Sequence, residues 1–145
     1  MMLLQSSPPP IGMDETPPRV RSRRPWRDKL RAALRGIKLG ARGHSSFSVH
    51  FFVSVLVLAA AIVLHCDLIQ WCLLLGCIGL VLTSELFNSA IETVYRALDE
   101  ESKARAQPFL DITAGAVLLA SITASIVGGL IFLSHLIELF SPPVP

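Results

Sequence analysis

Charge is scarce in this chain. Of 145 residues only 17% are Asp, Glu, Lys or Arg, 52% are hydrophobic, and the mean hydropathy is +0.56. An ordinary soluble domain carries about a quarter of its residues charged, so this balance excludes that class. Cysteine is scarce as well. Cys66, Cys72 and Cys77 lie in or beside apolar runs and form no CxxC pair, which argues against a disulfide scaffold or a thiolate metal site and reads them as small core residues. The apolar start Met1–Leu4 is too short for a signal-peptide core before Pro8-Pro9-Pro10. There is no GxxxxGK[ST] loop and no protein-kinase signature set, so any phosphoryl transfer here needs an unrelated architecture.

Uninterrupted apolar sequence is what the chain has in quantity. Ser45–Cys66, Leu68–Ser84 and Ile112–Ile137 are 22, 17 and 26 residues long without a single Asp, Glu, Lys or Arg. About 17 to 25 apolar residues cross the hydrocarbon core as a helix, and in lipid each backbone amide must bond within its own segment. The expected fold is therefore an all-α membrane protein with three transmembrane helices preceded by an amphipathic interfacial helix. Residues 1–25, rich in Pro and Arg, read as a disordered extension. The surface helix falls at 26–42, the spans at about 47–65, 68–98 and 111–137 within a domain of 26–140, and a short tail at 141–145.

The formal charge of +2 hides an asymmetry. Ten Lys/Arg and three acidic residues precede Phe47, giving 10 − 3 = +7, while the rest of the chain has three basic and eight acidic residues, giving 3 − 8 = −5. The positive-inside rule puts the N-terminus in the cytoplasm, Cys66–Gln70 outside, Arg96–Arg105 inside and the Lys/Arg-free tail outside. Along 26–42, Trp26, Leu30, Ala33, Leu34, Ile37 and Ala41 recur every three or four residues between Arg and Lys. That pattern describes a helix lying on the membrane, with anionic lipid headgroups rather than nucleic acid as partner of its basic face. Gly40 and the Gly43-His44-Ser45-Ser46 stretch are expected to break it. In the third span Ala116, Ala120, Ala124 and Gly128 step by four, a ladder that permits close helix packing or oligomerisation.

The second span continues past the first of its charges. At about 100° per residue, Glu85, Asn88, Glu92, Arg96 and Asp99 fall within an arc of roughly 80° on one helix face. A carboxylate at bilayer depth costs on the order of 2.5 to 3.5 kcal/mol, which makes Glu85 a functional-site candidate. Glu92 and Arg96, four apart, fit a plain ion pair equally well, and Asn88 fits an interhelical hydrogen bond. Asp111 fits either a helix cap or a further carboxylate at the depth of Glu92. Carboxylates among Arg and Lys at such a boundary suit a divalent cation holding a polyphosphate, and the deeper one suits a general base toward a lipid hydroxyl. Leu68–Leu82 offers only Gln70 and small residues, so a continuous ion conduit is not expected.

Glu85-Leu86-Phe87-Asn88-Ser89-Ala90-Ile91-Glu92 resembles the ExxN[ST]AIE signature of the bacterial integral-membrane diacylglycerol kinase family, which includes undecaprenol kinases. The likeness runs from about Trp26 to Leu136: Ala33-Leu34-Arg35-Gly36 is similar to the family's interfacial helix, Phe47 and His50 to its entry to span one, and Asp111-Ile112-Thr113-Ala114-Gly115-Ala116-Val117-Leu118 to its third-helix opening. The resemblance implies a homotrimer in the bacterial cytoplasmic (inner) membrane that uses MgATP to phosphorylate diacylglycerol or a polyprenol. It implies Glu85 as catalytic base, Asn88 as organiser of the site and Glu92 as ligand of Mg²⁺, with Asp111 and Glu101 toward the nucleotide.

Three positions depart from the family pattern. His44 stands where a metal-binding Glu is usual, Arg96 where an Asp is usual, and Leu110 where a Lys is usual. His44 is then the second metal ligand, and Arg96, Lys103 and Arg105 are candidates to replace the lost positive charge. The alternative reading is a weak or inactive homologue that acts as a non-enzymatic membrane binding or assembly protein.

Overall fold

The structure is a computed structural model, and it describes residues 25–42 and 45–140. Four helices follow in order, α1 (Trp26–Arg42), α2 (Ser45–Val63), α3 (Leu68–Arg96) and α4 (Glu100–Phe140), and the described residues contain no strand. The chain is all-α, and α2, α3 and α4 are each long and apolar enough to cross a membrane. His44, one of the expected metal ligands, lies outside the described residues.

Burial follows the opposite rule from a water-soluble bundle. Phe51, Phe52, Phe87, Leu118 and Leu119 are exposed, while Glu85 and Ser89 are buried. Lipid solvates apolar side chains as well as a protein core does, so polar groups gain more by turning inward. An apolar core remains toward the α2–α3 turn, where Ala61, Cys66, Leu74 and Ile131 are packed by Val57, Trp71 and Phe132. There Gly128 of α4 passes Leu74 so closely that a Cβ added to it would lie 3.8 Å from Leu74 Cδ2. Of the small-residue ladder, Ala120 and Gly128 are buried, whereas Ala116 is exposed.

The turn between α2 and α3 is built from two local devices. His65 takes a left-handed φ of 51°, and the amides of His65 and Cys66 donate to Ile62 O and Ala61 O, closing α2 as a Schellman motif. Asp67 then caps α3: Gln70 N donates to Asp67 Oδ1 and Asp67 N donates to Gln70 Oε1, each at 2.9 Å. His135 of α4 joins this box, its Nε2 lying 2.9 Å from Gln70 Oε1. Two helices are thereby fixed at the end of the bundle farthest from Arg96.

At the other end the helices outrun the apolar sequence. With 29 and 41 residues, α3 and α4 extend about 43 and 61 Å, against a hydrocarbon core of about 30 Å. The third long helix starts at Glu100, before the apolar run, and continues through Pro108. Asp111 therefore caps nothing, and Asp99 does so instead. Its Oδ1 accepts from Ser102 N and its Oδ2 from Ser102 Oγ, both at 2.9 Å. Similarly, Gly40 does not break α1, which runs on to Arg42. The missing side chain lets α1 lie on α3, since a Cβ there would meet Leu86 Cδ2 at 2.6 Å.

These two bonds hold the Asp99 carboxyl below its ordinary pKa. A carboxyl whose folded pKa is depressed contributes stability above its unfolded value, about 3.9, and loses it as the pH falls toward the folded value. Protection of the first-turn amides of α4, measured against their intrinsic exchange rates, should therefore fall as the pH drops below about 4. In Asp99→Ala the same amides should be weakly protected at every pH. Equal protection in both proteins would show that the cap does not hold this turn.

Candidate functional site

Helix α3 presents its polar face in a gradient. Glu85 is buried at 2% exposure, Asn88 and Glu92 are half-buried and Arg96 is exposed, whereas Asp99, expected on the same face, lies past the end of α3 in the turn before α4. Helical periodicity keeps the four α3 residues on one face, while depth decides how each is solvated.

Glu85 occupies the deepest step. Its Oε2 is 4.0 Å from Nε2 of His50 on α2, and its Oε1 is buried with no hydrogen-bond partner among the described residues. One turn further, the Ser89 Oγ is also buried and unpartnered. A buried acceptor left without a donor costs about 1 to 3 kcal/mol. Such a pair of orphan polar atoms in a membrane helix marks a place where a polar ligand group can be received.

Asn88 is held across helices. Thr113 Oγ1 of α4 lies 2.8 Å from Asn88 Oδ1 and 3.0 Å from Leu110 O. Asn88 Oδ1 is thus the acceptor, which leaves its amide NH₂ as the donor end of the side chain. Glu92 is ion-paired to Arg96 one turn on, with the two side chains 32% and 63% exposed. An i,i+4 pair of this kind is worth only about 0.3 to 0.5 kcal/mol.

The remaining expected site residues lie on the first turns of α4. Lys103 Nζ bonds Glu100 Oε1 at 2.7 Å, and Glu101 Oε1 accepts from Arg105 at 2.5 Å. Asp111 Oδ1 accepts from Gln107 Nε2 at 3.2 Å, and Gln107 Oε1 in turn accepts from Tyr95 Oη of α3 at 2.9 Å. Asp111 is therefore tied to α3 through Gln107 and Tyr95, whereas Glu101 and Lys103 bond neighbours on their own helix, Arg105 and Glu100. No cluster of three or more His, Cys, Asp or Glu side chains suited to a metal ion occurs among the described residues.

Three participants escape sequence reasoning. Ser89 falls inside the eight-residue signature and Thr113 inside the third-helix opening, but neither spacing shows that one is orphaned and the other bonded to Asn88. In the sequence His50 carries a resemblance to the family's entry to span one, but nothing there pairs it with Glu85. Its approach to Glu85 depends on how α2 packs against α3.

Two cavities flank the polar face. One of about 760 Å³ lies between α1 and α3, reaching from Gly36 and Gly40 to Ser89, Thr93 and Arg96. The other, about 500 Å³, runs between α2, α3 and α4 from His50 and Ser121 to Leu74 and Phe132. The small residues Ala124, Ser125, Gly128 and Gly129 on α4 keep it open.

The family model of prokaryotic diacylglycerol kinase matches residues 31–132, which includes every residue of this polar face. The chain belongs to the prokaryotic diacylglycerol kinase family. Among its relatives, a diacylglycerol kinase of Synechocystis sp. is 32% identical over 91% of this chain and 82% of that protein. An undecaprenol kinase of Bacillus subtilis is 32% identical over 72% of this chain and 85% of its own. No solved structure matches the chain. As a member of this family the protein is a bacterial integral membrane protein, and its apolar helices are the spans that such a protein needs.

Proposed function

We propose that the protein is a lipid kinase that transfers the γ-phosphoryl group of ATP to the hydroxyl of diacylglycerol or a polyprenol in the inner membrane. One observation carries this reading: a carboxylate buried at 2% exposure, with one oxygen unpartnered, at the inner end of a graded polar helix face. A charged nucleotide and an insoluble alcohol meet only at the water–lipid boundary, and such a gradient spans that boundary. The names of the two relatives, a diacylglycerol kinase and an undecaprenol kinase, support the class and name the two substrate types.

In this reading Glu85 Oε1 accepts the hydroxyl proton of the lipid, and the Asn88 amide, fixed by Thr113, donates to an oxygen of the reacting groups. Glu92 would hold Mg²⁺, with His44 as a further ligand. Arg96, Lys103, Glu101 and Asp111 would line the nucleotide side. The donor set fits Mg²⁺: this ion keeps several waters and takes one or two carboxylates together with substrate phosphates, so a three-residue protein cage is not needed. When bound, the ion neutralises charge on the ATP phosphates. Assembly as a homotrimer, a cytoplasmic N-terminus, an outer C-terminus and contact of α1 with anionic headgroups complete the proposal.

The cavity between α2, α3 and α4 supports a chain-binding role, since it lies at membrane depth and ends at His50 beside Glu85. Ser125→Leu should raise the KM for the lipid about tenfold while the KM for ATP stays constant. An equal rise in both would indicate general disruption instead.

The test of function is direct. Purified protein in mixed micelles, given labelled ATP, Mg²⁺ and a panel of lipid alcohols, is expected to label at least one of them. Nucleotide binding without transfer to any lipid would overturn the kinase reading and establish a non-catalytic homologue, the outcome that the departures at His44, Arg96 and Leu110 favour.

A further inference from the structure

Phosphoryl transfer from ATP to an alcohol forms a P–O bond to the alcohol oxygen, breaks the bond to the ADP oxygen and sets free the hydroxyl proton. On the reading proposed above, on which this inference rests, Glu85 takes that proton. A carboxyl at 2% exposure must then be emptied before the next turnover. Among the described residues no Arg or Lys forms an ion pair with it, and the basic group that approaches it is His50, with Nε2 at 4.0 Å from Oε2. The His50 side chain is 26% exposed, against 3% for that of Glu85. His50 is also the sixth residue of α2, about 7.5 Å from the start of that helix.

We propose that His50 is a positioning residue for Glu85, which aims the carboxylate at the lipid hydroxyl and drains its proton. After transfer the proton moves from Glu85 Oε2 to His50 Nε2, regenerating the carboxylate, and the imidazolium gives up one proton to water at the cytoplasmic interface. Histidine suits the task because its imidazole can take a proton at one ring nitrogen and release one from the other. The 4.0 Å separation exceeds a hydrogen bond and is spanned by a bridging water or closed by a small turn of the ring.

The other charged groups on the surrounding elements are placed elsewhere. On α3, Glu92 pairs with Arg96; on α4, Asp111 bonds Gln107; and on α1, neither Lys38 nor Arg42 forms an ion pair with Glu85 among the described residues. A ring at this point also borders the cavity proposed for the lipid chain, so it stands where the hydroxyl arrives. Ser54 of the same helix faces that cavity too, but its Oγ donates to the His50 carbonyl at 2.8 Å and cannot substitute for the ring.

The test compares His50→Gln and His50→Ala with the full-length parent protein in the mixed-micelle assay. Gln keeps hydrogen bonding but carries no proton. Both variants should lower kcat about tenfold or more with the KM for ATP within about twofold, and both should lose the acid limb of the pH–rate profile. Added imidazole should restore His50→Ala and leave His50→Gln unchanged. A His50→Gln enzyme with parental kcat and pH profile would overturn the proposal. Nuclear magnetic resonance supplies a readout that needs neither folding of the variants at His50 nor turnover: the His50 ring titration should shift between the parent and Glu85→Gln. An unshifted titration overturns the coupling even if the parent proves to be no kinase, whereas a shift in an inactive parent would retire the kinase reading alone.

Discussion

Glu85→Gln should lower phosphate transfer to lipid by about 10²- to 10⁴-fold, the contribution of a positioned general base. The substitution preserves volume, removes the charge and leaves an amide that cannot accept a proton. The carboxylate is 2% exposed, one of its oxygens has no hydrogen-bond partner among the described residues and the other is 4.0 Å from His50 Nε2, so its charge gains little from the fold. Burying a carboxylate at this depth costs on the order of 2.5 to 3.5 kcal/mol, so the amide should leave the protein as stable as before or more so. Loss of activity together with raised or equal thermal stability would mark Glu85 as a group kept for chemistry. Retained transfer would remove it from the site, and lower stability would make it structural.

Glu92→Gln should reduce transfer by about 10- to 100-fold at ordinary Mg²⁺ and recover part of the rate as Mg²⁺ is raised. The neutral amide is a weaker ligand for a hard cation than the carboxylate it replaces. Loss of the partly exposed i,i+4 pair with Arg96 should itself cost only about 0.3 to 0.5 kcal/mol. A Mg²⁺ dependence identical in the two proteins would show that Glu92 is no metal ligand and that its role is the ion pair with Arg96.

Much of the membrane architecture was legible because the bilayer imposes a length on apolar sequence. Leu68–Ser84 and Ile112–Ile137 fall within α3 and α4, Ser45–Cys66 runs three residues past the end of α2 into the turn, and Asp67 there caps α3. The start of the last helix was not legible. Asp111 follows Pro108 and heads an apolar run, so local rules favour a beginning there, yet Asp99 caps the helix and α4 runs through the proline. Contact with α3 through Tyr95 and Gln107 adds support that local propensity does not contain. Gly40 misled for a related reason: as a sequence signal it reads as a breaker, whereas in the fold it is the point at which α1 lies against Leu86.

Sequence alone determined that the chain is an all-helical membrane protein and that Glu85, Asn88 and Glu92 share one helix face, because hydrophobic length and helical period depend only on the order of residues. Tertiary structure alone decided the environment of each of those groups. Glu85 is buried beside His50, Asn88 is fixed by Thr113, Ser89 is left without a partner, and Glu101 and Lys103 are drawn into pairs on their own helix. The reason is that desolvation and hydrogen bonding depend on which helices pass one another and at what depth. A single helix face sets the direction of its side chains, and the neighbouring helices set what those side chains meet.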